Sequence, residues 1–433
     1  MTSEFHKQLG EGRLENRLGD AKPLYTKAEA LVEANRCLYC YDAPCITACP
    51  TSINIPKFIK QIASDNLRGS AQTILSANML GVSCARVCPV EVLCAGDCVY
   101  NDLNHQPIAI GRLQRYATET ALADESSSGR KLFEAAPSTG KSVALIGAGP
   151  ASLACAAHLA LGGVSPVIYE RGPLPGGLNT TGVAPYKLHA EAALDEVNWL
   201  LSHGAILKTG VSIGKDISFA QLQKDHDAVF IGVGLGSDRL LSWQGDCVWG
   251  ATDLIRAIKN DPAFCLPEGA SSAVIVGGGN TAIDIARELA MLGLPEVTMV
   301  YRRGQAEMSG YEHEMAAARK YGVQLKTGYN PKGVEQDASG THAVFSHREN
   351  DERLAIRADL IVMAVGQQTW AAELGADFEL NDNGTVKVDA ETRQTTVPRV
   401  YAGGDCINGG KEVVNAAADG REAAKAIIAS LGL

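Results

Sequence analysis

Short apolar runs rich in β-branched residues recur along the chain after residue 141, and each leads into glycines or an Ala/Leu-rich stretch. Strand-like runs that alternate with helix-like stretches predict parallel β-sheets flanked by helices. The runs occupy residues 142–146, 166–169, 228–233, 273–276, 297–301 and 360–365. Two of them end in similar glycine-containing turns, at 144–149 and 274–279, which predicts two similar dinucleotide-binding units.

The first 122 residues lack this strand pattern. They predict short helices around cysteine-bearing loops, with an amphipathic stretch over 55–75. The apolar positions of that stretch are Phe58, Ile59, Ile62, Leu67 and Ile74. Residues 123–141 are rich in Ser and Gly, which is typical of a linker. A helical module over 1–122 is therefore expected to precede the α/β part.

Composition narrows the classes of protein that remain. The 433 residues are enough for about two to four domains. The formal net charge is 39 − 49 = −10, and no block rich in Lys and Arg occurs, which disfavours nucleic-acid binding. The first 22 residues have no apolar segment typical of a signal peptide, and no apolar run approaches the roughly 20 residues that span a bilayer. We expect a cytoplasmic protein with no membrane span.

Eight of the twelve cysteines fall between Cys37 and Cys98, which is the strongest chemical signal in the chain. The first four follow the pattern Cys37-x2-Cys40-x4-Cys45-x3-Cys49-Pro50, which differs from the iron-sulfur run of bacterial ferredoxins only in its longer second gap. In such runs the cysteine before proline, here Cys49, serves a second cluster. The second set is Cys84, Cys88 (before Pro89), Cys94 and Cys98. A zinc ribbon is the alternative, but it needs two C-x2-C pairs and only one is present.

The first glycine turn lies between a predicted strand and a predicted helix and has an acid, Glu170, after the next strand. Its glycines permit a tight turn and close approach of a pyrophosphate, while the acid accepts a hydrogen bond from ribose. Two distal segments, 176–178 (Gly-Gly-Leu) and 400–405 (which ends in Gly-Gly-Asp), favour FAD, because the arrangement resembles that of flavoproteins with two dinucleotide-binding units. Gly-Gly-Asp alone would also suit a surface turn. The FAD contacts are expected at Gly147, Ala148, Gly149, Pro150, Ala151, Glu170, Gly176, Gly177, Leu178, Gly404 and Asp405.

The second glycine turn also follows a predicted strand and opens a predicted helix. The next strand ends in Arg302 and Arg303, with no acid where NAD sites usually have one. Guanidinium groups there can bind the 2′-phosphate of NADP, although two arginines after a strand also suit a solvated turn. Nucleotide contacts are expected at Gly278, Gly279, Asn280, Thr281, Arg302 and Arg303, and further cofactor contacts at Ala364, Val365, Gly366 and Val413.

The order of these features resembles the glutamate synthase small-subunit family, which includes the electron-input half of dihydropyrimidine dehydrogenase. The resemblance covers essentially the whole chain. Segment 110–119 carries Gln114, where glutamate synthase small subunits usually have a glutamate, which favours the separate, PreT-type input subunits of bacterial dihydropyrimidine dehydrogenase. The resemblance implies one 4Fe-4S cluster on Cys37, Cys40, Cys45 and Cys98, and another on Cys49, Cys88, Cys94 and Gln114.

Two positions depart from this family pattern, and one ligand of the second cluster has an alternative. Counting cysteines alone would pair eight into two sets of four and recruit Cys84 in place of Gln114. Lys187 stands where the family pattern has an arginine near the flavin. Ser309 replaces a third basic residue expected after Arg302 and Arg303, which leaves NADP and NAD equally favoured.

The resemblance implies an α/β protein: a helical domain with two 4Fe-4S clusters, followed by two Rossmann-like domains for FAD (142–245 and 367–433) and NAD(P) (246–366). NAD(P)H would give a hydride to FAD, and single electrons would pass through the clusters to an FMN-containing partner that reduces uracil or thymine. No residue is assigned to proton transfer, because hydride transfer depends mainly on positioning. A glutamate synthase-like diaphorase and a non-enzymatic redox-sensing scaffold remain as alternatives.

Overall fold

The computed structural model describes residues 5–433 and has an α/β fold in which a helical module precedes two parallel sheets, as the sequence predicts. The helices are α1 Lys27–Asn35, α2 Pro44–Thr47, α3 Ile55–Ala63, α4 Leu67–Ala77, α5 Gly81–Val87, α6 Ile110–Ser128, α7 Pro150–Leu161, α8 Leu178–Thr181, α9 Ala190–Leu201, α10 Phe219–Asp225, α11 Ala251–Asn260, α12 Asn280–Met291, α13 Glu312–Arg319, α14 Asp405–Asn408 and α15 Val413–Ser430. The strands are β1 Ser142–Ile146, β2 Ser165–Glu170, β3 Ile206–Thr209, β4 Ala228–Ile231, β5 Leu235–Asp238, β6 Val248–Gly250, β7 Ser272–Val276, β8 Glu296–Tyr301, β9 Gln324–Thr327, β10 Tyr329–Asp337, β11 Gly340–His347, β12 Arg353–Arg357, β13 Leu360–Met363, β14 Gln367–Thr369 and β15 Val400–Ala402.

Helices α1 to α6 form the N-terminal module. The amphipathic stretch over 55–75 forms two helices, because Asp65 adopts a left-handed conformation (φ 59°) and the Asn66 side chain then caps α4 by accepting from the Gly69 N–H. Helix α6 continues through Ser128, into the segment predicted as a linker, and ends where Gly129 takes φ 73°. The Ser-rich stretch therefore begins as the last turns of a helix.

The first sheet has the order β15-β4-β1-β2-β3 and is parallel throughout. The second has the order β6-β13-β7-β8-β9 and is also parallel. Strands β5 and β14 form an antiparallel pair where the chain leaves the first unit and returns to it. An antiparallel meander, β10-β11-β12, extends the second unit and is not among the strands that the sequence predicts.

One apolar core joins the helical module to the first dinucleotide-binding unit. It includes Phe58 and Ile59 of α3 together with Leu145 of β1 and Phe230 of β4, all nearly inaccessible to solvent. A separate core fills the second unit, and the N-terminal segment contributes Leu14 to it. None of the helices formed by residues 5–433 is long and apolar enough to cross a membrane.

Candidate functional site

The first cysteine cavity lies within the helical module. Its wall includes four cysteines: Cys37, Cys40, Cys45 and Cys98. Burial raises the pKa of Cys45 to about 12, and the neighbouring Cys37, Cys98 and Cys40 contribute to this rise. The structure thus brings together the four residues that the resemblance assigns to one cluster.

The second cysteine cavity lies beside the first, since Ile55 lines both. Its wall includes Cys49, Cys84, Cys88, Cys94 and Gln114, together with Val414 of α15. The three cysteines and the glutamine that the resemblance groups are therefore neighbours, and so is Cys84. Val414 places the wall of this cavity against the first dinucleotide-binding unit.

Both candidates for the fourth ligand of the second cavity have hydrogen-bonded side chains. The Gln114 amide nitrogen donates to the Gly81 carbonyl at 2.8 Å, which leaves the amide oxygen as its remaining ligand atom. The thiols of Cys84 and Cys88 are hydrogen-bonded, and this bond, followed by burial, raises the pKa of Cys88 well above its ordinary value. The geometry accommodates either Gln114 or Cys84.

The spacing of the sulfurs argues against a mononuclear zinc site. A tetrahedral Zn–S₄ centre with bonds of about 2.3 Å holds its sulfurs about 3.8 Å apart. Among residues 5–433, no three cysteine sulfurs lie within 4.8 Å of one another. Four thiols that line one cavity and are spaced more widely than a zinc ion would hold them instead fit a larger inorganic core such as an iron-sulfur cluster.

Three glycine-bearing segments converge at the N-terminus of α7, where the sequence predicts FAD. A Cβ at Gly177 would lie 2.8 Å from the Cα of Gly149, and one at Gly404 would lie 3.0 Å from the Cβ of Ala151. Gly147 (φ 89°) is needed for close packing, because a Cβ there would lie 2.7 Å from the Gly232 carbonyl oxygen. Because these residues are small, a ligand can approach the backbone N–H groups at the N-terminus of α7, and such a place suits a pyrophosphate.

Acidic side chains hold these segments in place. Glu170 accepts hydrogen bonds from the N–H of Ala148 (2.8 Å) and of Gly172 (2.7 Å). Asp405 opens α14, and burial raises its pKa. Asp419 of α15, which sequence reasoning missed, accepts from the Gly404 N–H at 3.0 Å. Leu178 starts α8 and Val413 starts α15, so both stand at helix N-termini in this unit.

The second glycine turn has a similar framework. A Cβ at Gly277 would lie 2.3 Å from the carbonyl oxygen of Ala364, so the predicted segment 364–366 adjoins the turn. Asn280, the first residue of α12, accepts from the Tyr311 N–H at 2.9 Å. Gly278, Gly279 and Thr281 belong to the same turn and helix start, whereas Arg302 and Arg303 are exposed at the end of β8.

The first and second units meet at a buried ion-pair cluster that centres on Lys187. Its ammonium lies 2.7 Å from Asp284 of α12 and 2.8 Å from Glu314 of α13. Burial lowers the pKa of Lys187, but the two carboxylates more than offset this and raise it above its ordinary value. Nearby, the Tyr311 hydroxyl donates to Glu412, the residue before α15, at 2.9 Å. Sequence reasoning expected Lys187 near the flavin and missed its partners in this interface.

We expect Lys187→Met to lower the free energy of unfolding by about 3 kcal/mol, because it removes the cation that two mostly buried carboxylates share and leaves only Glu314 with another, Arg287 at 3.8 Å. The measurement is urea denaturation. Lys425→Met is the matched control, since Lys425 forms an exposed ion pair with Glu422 and should change stability by less than about 1 kcal/mol. Equal effects of the two substitutions would contradict a structural role for the Lys187 cluster.

A second buried carboxylate fastens the helical module to the first unit. Glu196 of α9 accepts from the N–H of Val82 at 2.8 Å and of Ser83 at 3.1 Å, and also from the Ser83 hydroxyl. These donors form the first turn of α5, so the carboxylate caps that helix. Burial raises the pKa of Glu196 from its ordinary 4.5 to about 7, although these hydrogen bonds lower it. The capped residues immediately precede Cys84, which lines the second cavity.

Glu196 should make the stability of the folded chain depend on pH. Between about pH 4.5 and 7 the unfolded chain ionises this group while the folded chain keeps it protonated, so its contribution to stability falls as pH rises and levels off above about 7. Glu196→Gln removes the titration. We therefore expect the stability advantage of the native chain over the variant to shrink between about pH 5 and 7, measured by urea denaturation. An advantage that grows with pH over this window would contradict the assignment.

Comparison with family models matches both halves of the chain. Residues 14–126 match the model described as "Dihydroprymidine dehydrogenase domain II, 4Fe-4S cluster". Residues 141–420 match the pyridine nucleotide-disulphide oxidoreductase model. The first match confirms the iron-sulfur prediction over zinc, and the second confirms the flavin and nicotinamide nucleotide class of the α/β part.

Curated relatives match along almost their full length. The NAD-dependent dihydropyrimidine dehydrogenase subunit PreT of Escherichia coli (strain K12) is 37% identical over 416 residues, which is 95% of this chain and 97% of that protein. The PreT homolog of Salmonella typhi is 36% identical with the same coverage. The small chain of glutamate synthase [NADPH] from Escherichia coli (strain K12) is 32% identical, over 93% of this chain and 92% of that protein.

Solved structures share the fold of the α/β part. Thioredoxin reductase of T. acidophilum superposes with a TM-score of 0.55 at 19% identity, over 67% of this chain and 98% of that chain. FprA of Mycobacterium tuberculosis in complex with NADPH superposes with a TM-score of 0.53 at 19% identity, over 69% of this chain and 85% of that chain.

The fold and the site define an oxidoreductase of the flavin and NAD(P) type that carries an iron-sulfur domain. The matches over nearly full length specify this class further. The chain belongs to the family that contains the PreT-type subunits of dihydropyrimidine dehydrogenase and the glutamate synthase small chains.

Proposed function

We propose that this chain is the electron-input subunit of a dihydropyrimidine dehydrogenase. It takes electrons from NAD(P)H and delivers them to an FMN-containing partner that reduces uracil or thymine to the 5,6-dihydro form. The observation that carries this proposal is the pair of adjacent cysteine-lined cavities, one of which borders the first dinucleotide-binding unit through Val414. PreT relatives named as dehydrogenase subunits support it.

The ligand sets follow the two cavities. Cys37, Cys40, Cys45 and Cys98 would hold one 4Fe-4S cluster, and Cys49, Cys88, Cys94 and Gln114 the other. Residues 1–122 then form the iron-sulfur domain, 142–245 and 367–433 the FAD-binding domain, and 246–366 the NAD(P)-binding domain. The free thiols suit a reducing compartment such as the cytoplasm.

The residues of the chain would position these groups. Gly149 and Ala151 leave room for a pyrophosphate at the N-terminus of α7, and Glu170 holds the turn that faces it. FAD, when bound, supplies the conversion between a hydride and two single electrons. Val413 and Val414 begin α15, so one short segment connects the predicted flavin site to the wall of the second cavity. The flavin site, the second cavity and the first cavity would then follow one another across the molecule.

The test is anaerobic purification of the chain with and without a candidate FMN-containing partner. Alone, the chain should reduce an artificial dye with NAD(P)H and should not reduce uracil. With the partner, oxidation of NAD(P)H should depend on uracil or thymine. Uracil turnover by the chain alone would contradict its role as a subunit, and fast dye reduction with no pyrimidine turnover in any pairing would contradict the substrate.

The second candidate is a diaphorase that, like the glutamate synthase small chain, serves another oxidoreductase. The 32% identity to that small chain favours it. The identity of residue 114 favours dihydropyrimidine dehydrogenase, because glutamate synthase small subunits usually have a glutamate at this position. Gln114 lines the second cavity, and its amide nitrogen donates a hydrogen bond to the Gly81 carbonyl. Turnover dependent on glutamine with a glutaminase-bearing partner would establish the diaphorase instead.

A further inference from the structure

The chain turns sharply after Cys49, one of the cysteines that line the second cavity. The N–H of Ser52 donates to the Cys49 carbonyl at 2.7 Å, and Ser52 takes a left-handed conformation with φ 51°. This turn places the Thr51 hydroxyl oxygen 3.3 Å from the Cys49 sulfur. Both residues are buried, and Thr51 is 0% exposed. Among residues 5–433, the sulfur is the one hydrogen-bonding partner that the buried hydroxyl has.

The hydroxyl becomes the donor when Cys49 serves as a metal ligand. A free thiol can donate or accept a hydrogen bond, but cysteine binds a metal as the thiolate, which has no proton to donate. The Thr51 O–H group then donates to the sulfur, because a buried hydroxyl proton without an acceptor would cost free energy. A hydrogen bond to an ionised acceptor is stronger than one between neutral groups. It therefore stabilises negative charge on this sulfur.

This contact distinguishes Cys49 from the other cysteines of the two cavities. Where those have hydrogen-bonding partners, the partners are backbone groups or another thiol, as for Cys37 with the Tyr39 backbone and for Cys84 with Cys88. In the part of the chain that the structure describes, no side-chain hydroxyl lies within hydrogen-bonding distance of the remaining cavity sulfurs, which are those of Cys37, Cys40, Cys45, Cys84, Cys88, Cys94 and Cys98. An effect of Thr51 should therefore appear in one cluster only.

Arg421 of α15 fixes the loop that carries this hydroxyl. Its guanidinium donates to the Thr51 carbonyl at 2.7 Å and to the carbonyl of Ala77, the last residue of α4, at 2.8 Å. Helix α15 also contributes Val414 to the wall of the second cavity. One side chain thus joins the Thr51 loop, the end of α4 and α15, which keeps the hydroxyl beside the sulfur.

We propose that Thr51 is a positioning residue for electron transfer: acting through the Cys49 sulfur, its hydroxyl raises the reduction potential of the second iron-sulfur cluster. Reduction adds one electron, and so one negative charge, to the cluster and its ligand sulfurs, while the reduced flavin loses that electron. A hydrogen bond donated to a ligand sulfur stabilises the added charge. The proton of the hydroxyl stays on Thr51 throughout. This inference rests on the proposed electron-input function and its ligand sets.

The test is a potentiometric titration of the anaerobic holoprotein, followed by electron paramagnetic resonance. Thr51→Val removes the hydroxyl and keeps the branched shape of the side chain. At a fixed potential we expect the ratio of reduced to oxidised second cluster to fall about tenfold, a shift of about 59 mV for one electron, with the first cluster unchanged. Thr51→Ser keeps the hydroxyl and should retain the native potential. Thr73→Val is the matched control, since its hydroxyl donates to Gln61 in the same module and Thr73 lines neither cavity.

Resonance Raman spectra of the oxidised holoprotein give a second readout, which requires no reduction of the clusters. Loss of the hydrogen bond should move an iron–cysteine stretching band to higher frequency in Thr51→Val but not in Thr51→Ser, because electron density returns from the sulfur to the iron–sulfur bond. Both readouts depend on the hydroxyl itself, so a merely structural role of Thr51 would not produce this pattern.

Three results would overturn the proposal. The first is a Thr51→Val variant that keeps its iron and has the native potential and Raman bands. The second is a Thr51→Ser variant that departs from the native potential as far as Thr51→Val does or loses the second cluster with it, and the third is an equal shift in Thr73→Val. None of these would affect dye reduction by the native chain. Absence of bound iron from the native chain would contradict the proposed function instead, so the two failures are distinguishable.

Discussion

Cys45→Ala is expected to lower the iron content from about eight to about four atoms per chain while the flavin stays bound. Cys45 lines the first cysteine cavity and not the second, so one cluster loses a ligand and the other keeps its full set. Dye reduction by NAD(P)H should continue, whereas uracil-dependent oxidation with the partner should fall to the level of the chain alone. Anaerobic iron and sulfide analysis, flavin content and electron paramagnetic resonance of the reduced chain are the measurements.

Two further cysteine variants and one glutamine variant test the specificity of that result. Cys265→Ala is the control, because this exposed thiol lies in neither cavity and its loss should change nothing. Cys84→Ala should also keep both clusters, whereas Gln114→Ala should lose the second. The opposite pattern, with iron lost from Cys84→Ala and kept in Gln114→Ala, would make Cys84 the fourth ligand and contradict the assignment to Gln114.

Sequence reasoning predicted the three central strands of each parallel sheet, because their signals are local. Residues 142–146 form β1 at the predicted bounds, since this β-branched run is bordered by polar residues and a glycine turn. The edge strands β3, β6, β9 and β15, the β5-β14 pair and the meander β10-β11-β12 were not predicted. β10 alternates poorly and carries many polar residues, because most of its side chains are at least partly exposed to solvent. A strand half exposed on both sides has no clear period of two.

In the candidate site, too, the features with a local sequence signal were predicted and those that depend on distant contacts were not. The glycine turns and the cysteine runs are contiguous motifs, and the structure places them at helix N-termini and around cavities. The contacts that hold them are not contiguous. Glu196 reaches Ser83 across 113 residues, so nothing in a local window links them. The choice between Cys84 and Gln114 also escaped the sequence, because both line one cavity.

The substitution Gly420→Ala, in the middle of α15, is also expected to have a large effect on stability and flavin binding. A Cβ on this residue would lie 2.2 Å from the Ala151 carbonyl oxygen and 2.9 Å from the Cys155 backbone nitrogen, so α15 and α7 touch through their backbones here. Gly420→Ala should push the helices apart and displace the neighbouring Asp419 from the Gly404 N–H. We expect a loss of about 3 kcal/mol of stability and of most of the bound flavin, although alanine itself favours a helix by about 1 kcal/mol.

Thermal denaturation and flavin content per chain measure this effect, with Gly333→Ala as the matched control. Gly333 lies in β10, where an added Cβ would have no heavy atom within 4 Å, so it should tolerate the same chemical change. Because α7 begins at the glycine turn and α15 begins at Val413, a shift between the two helices would move two parts of the predicted flavin site at once. Normal flavin content and stability in Gly420→Ala would show that the backbone contact between these helices does not set the geometry of that site.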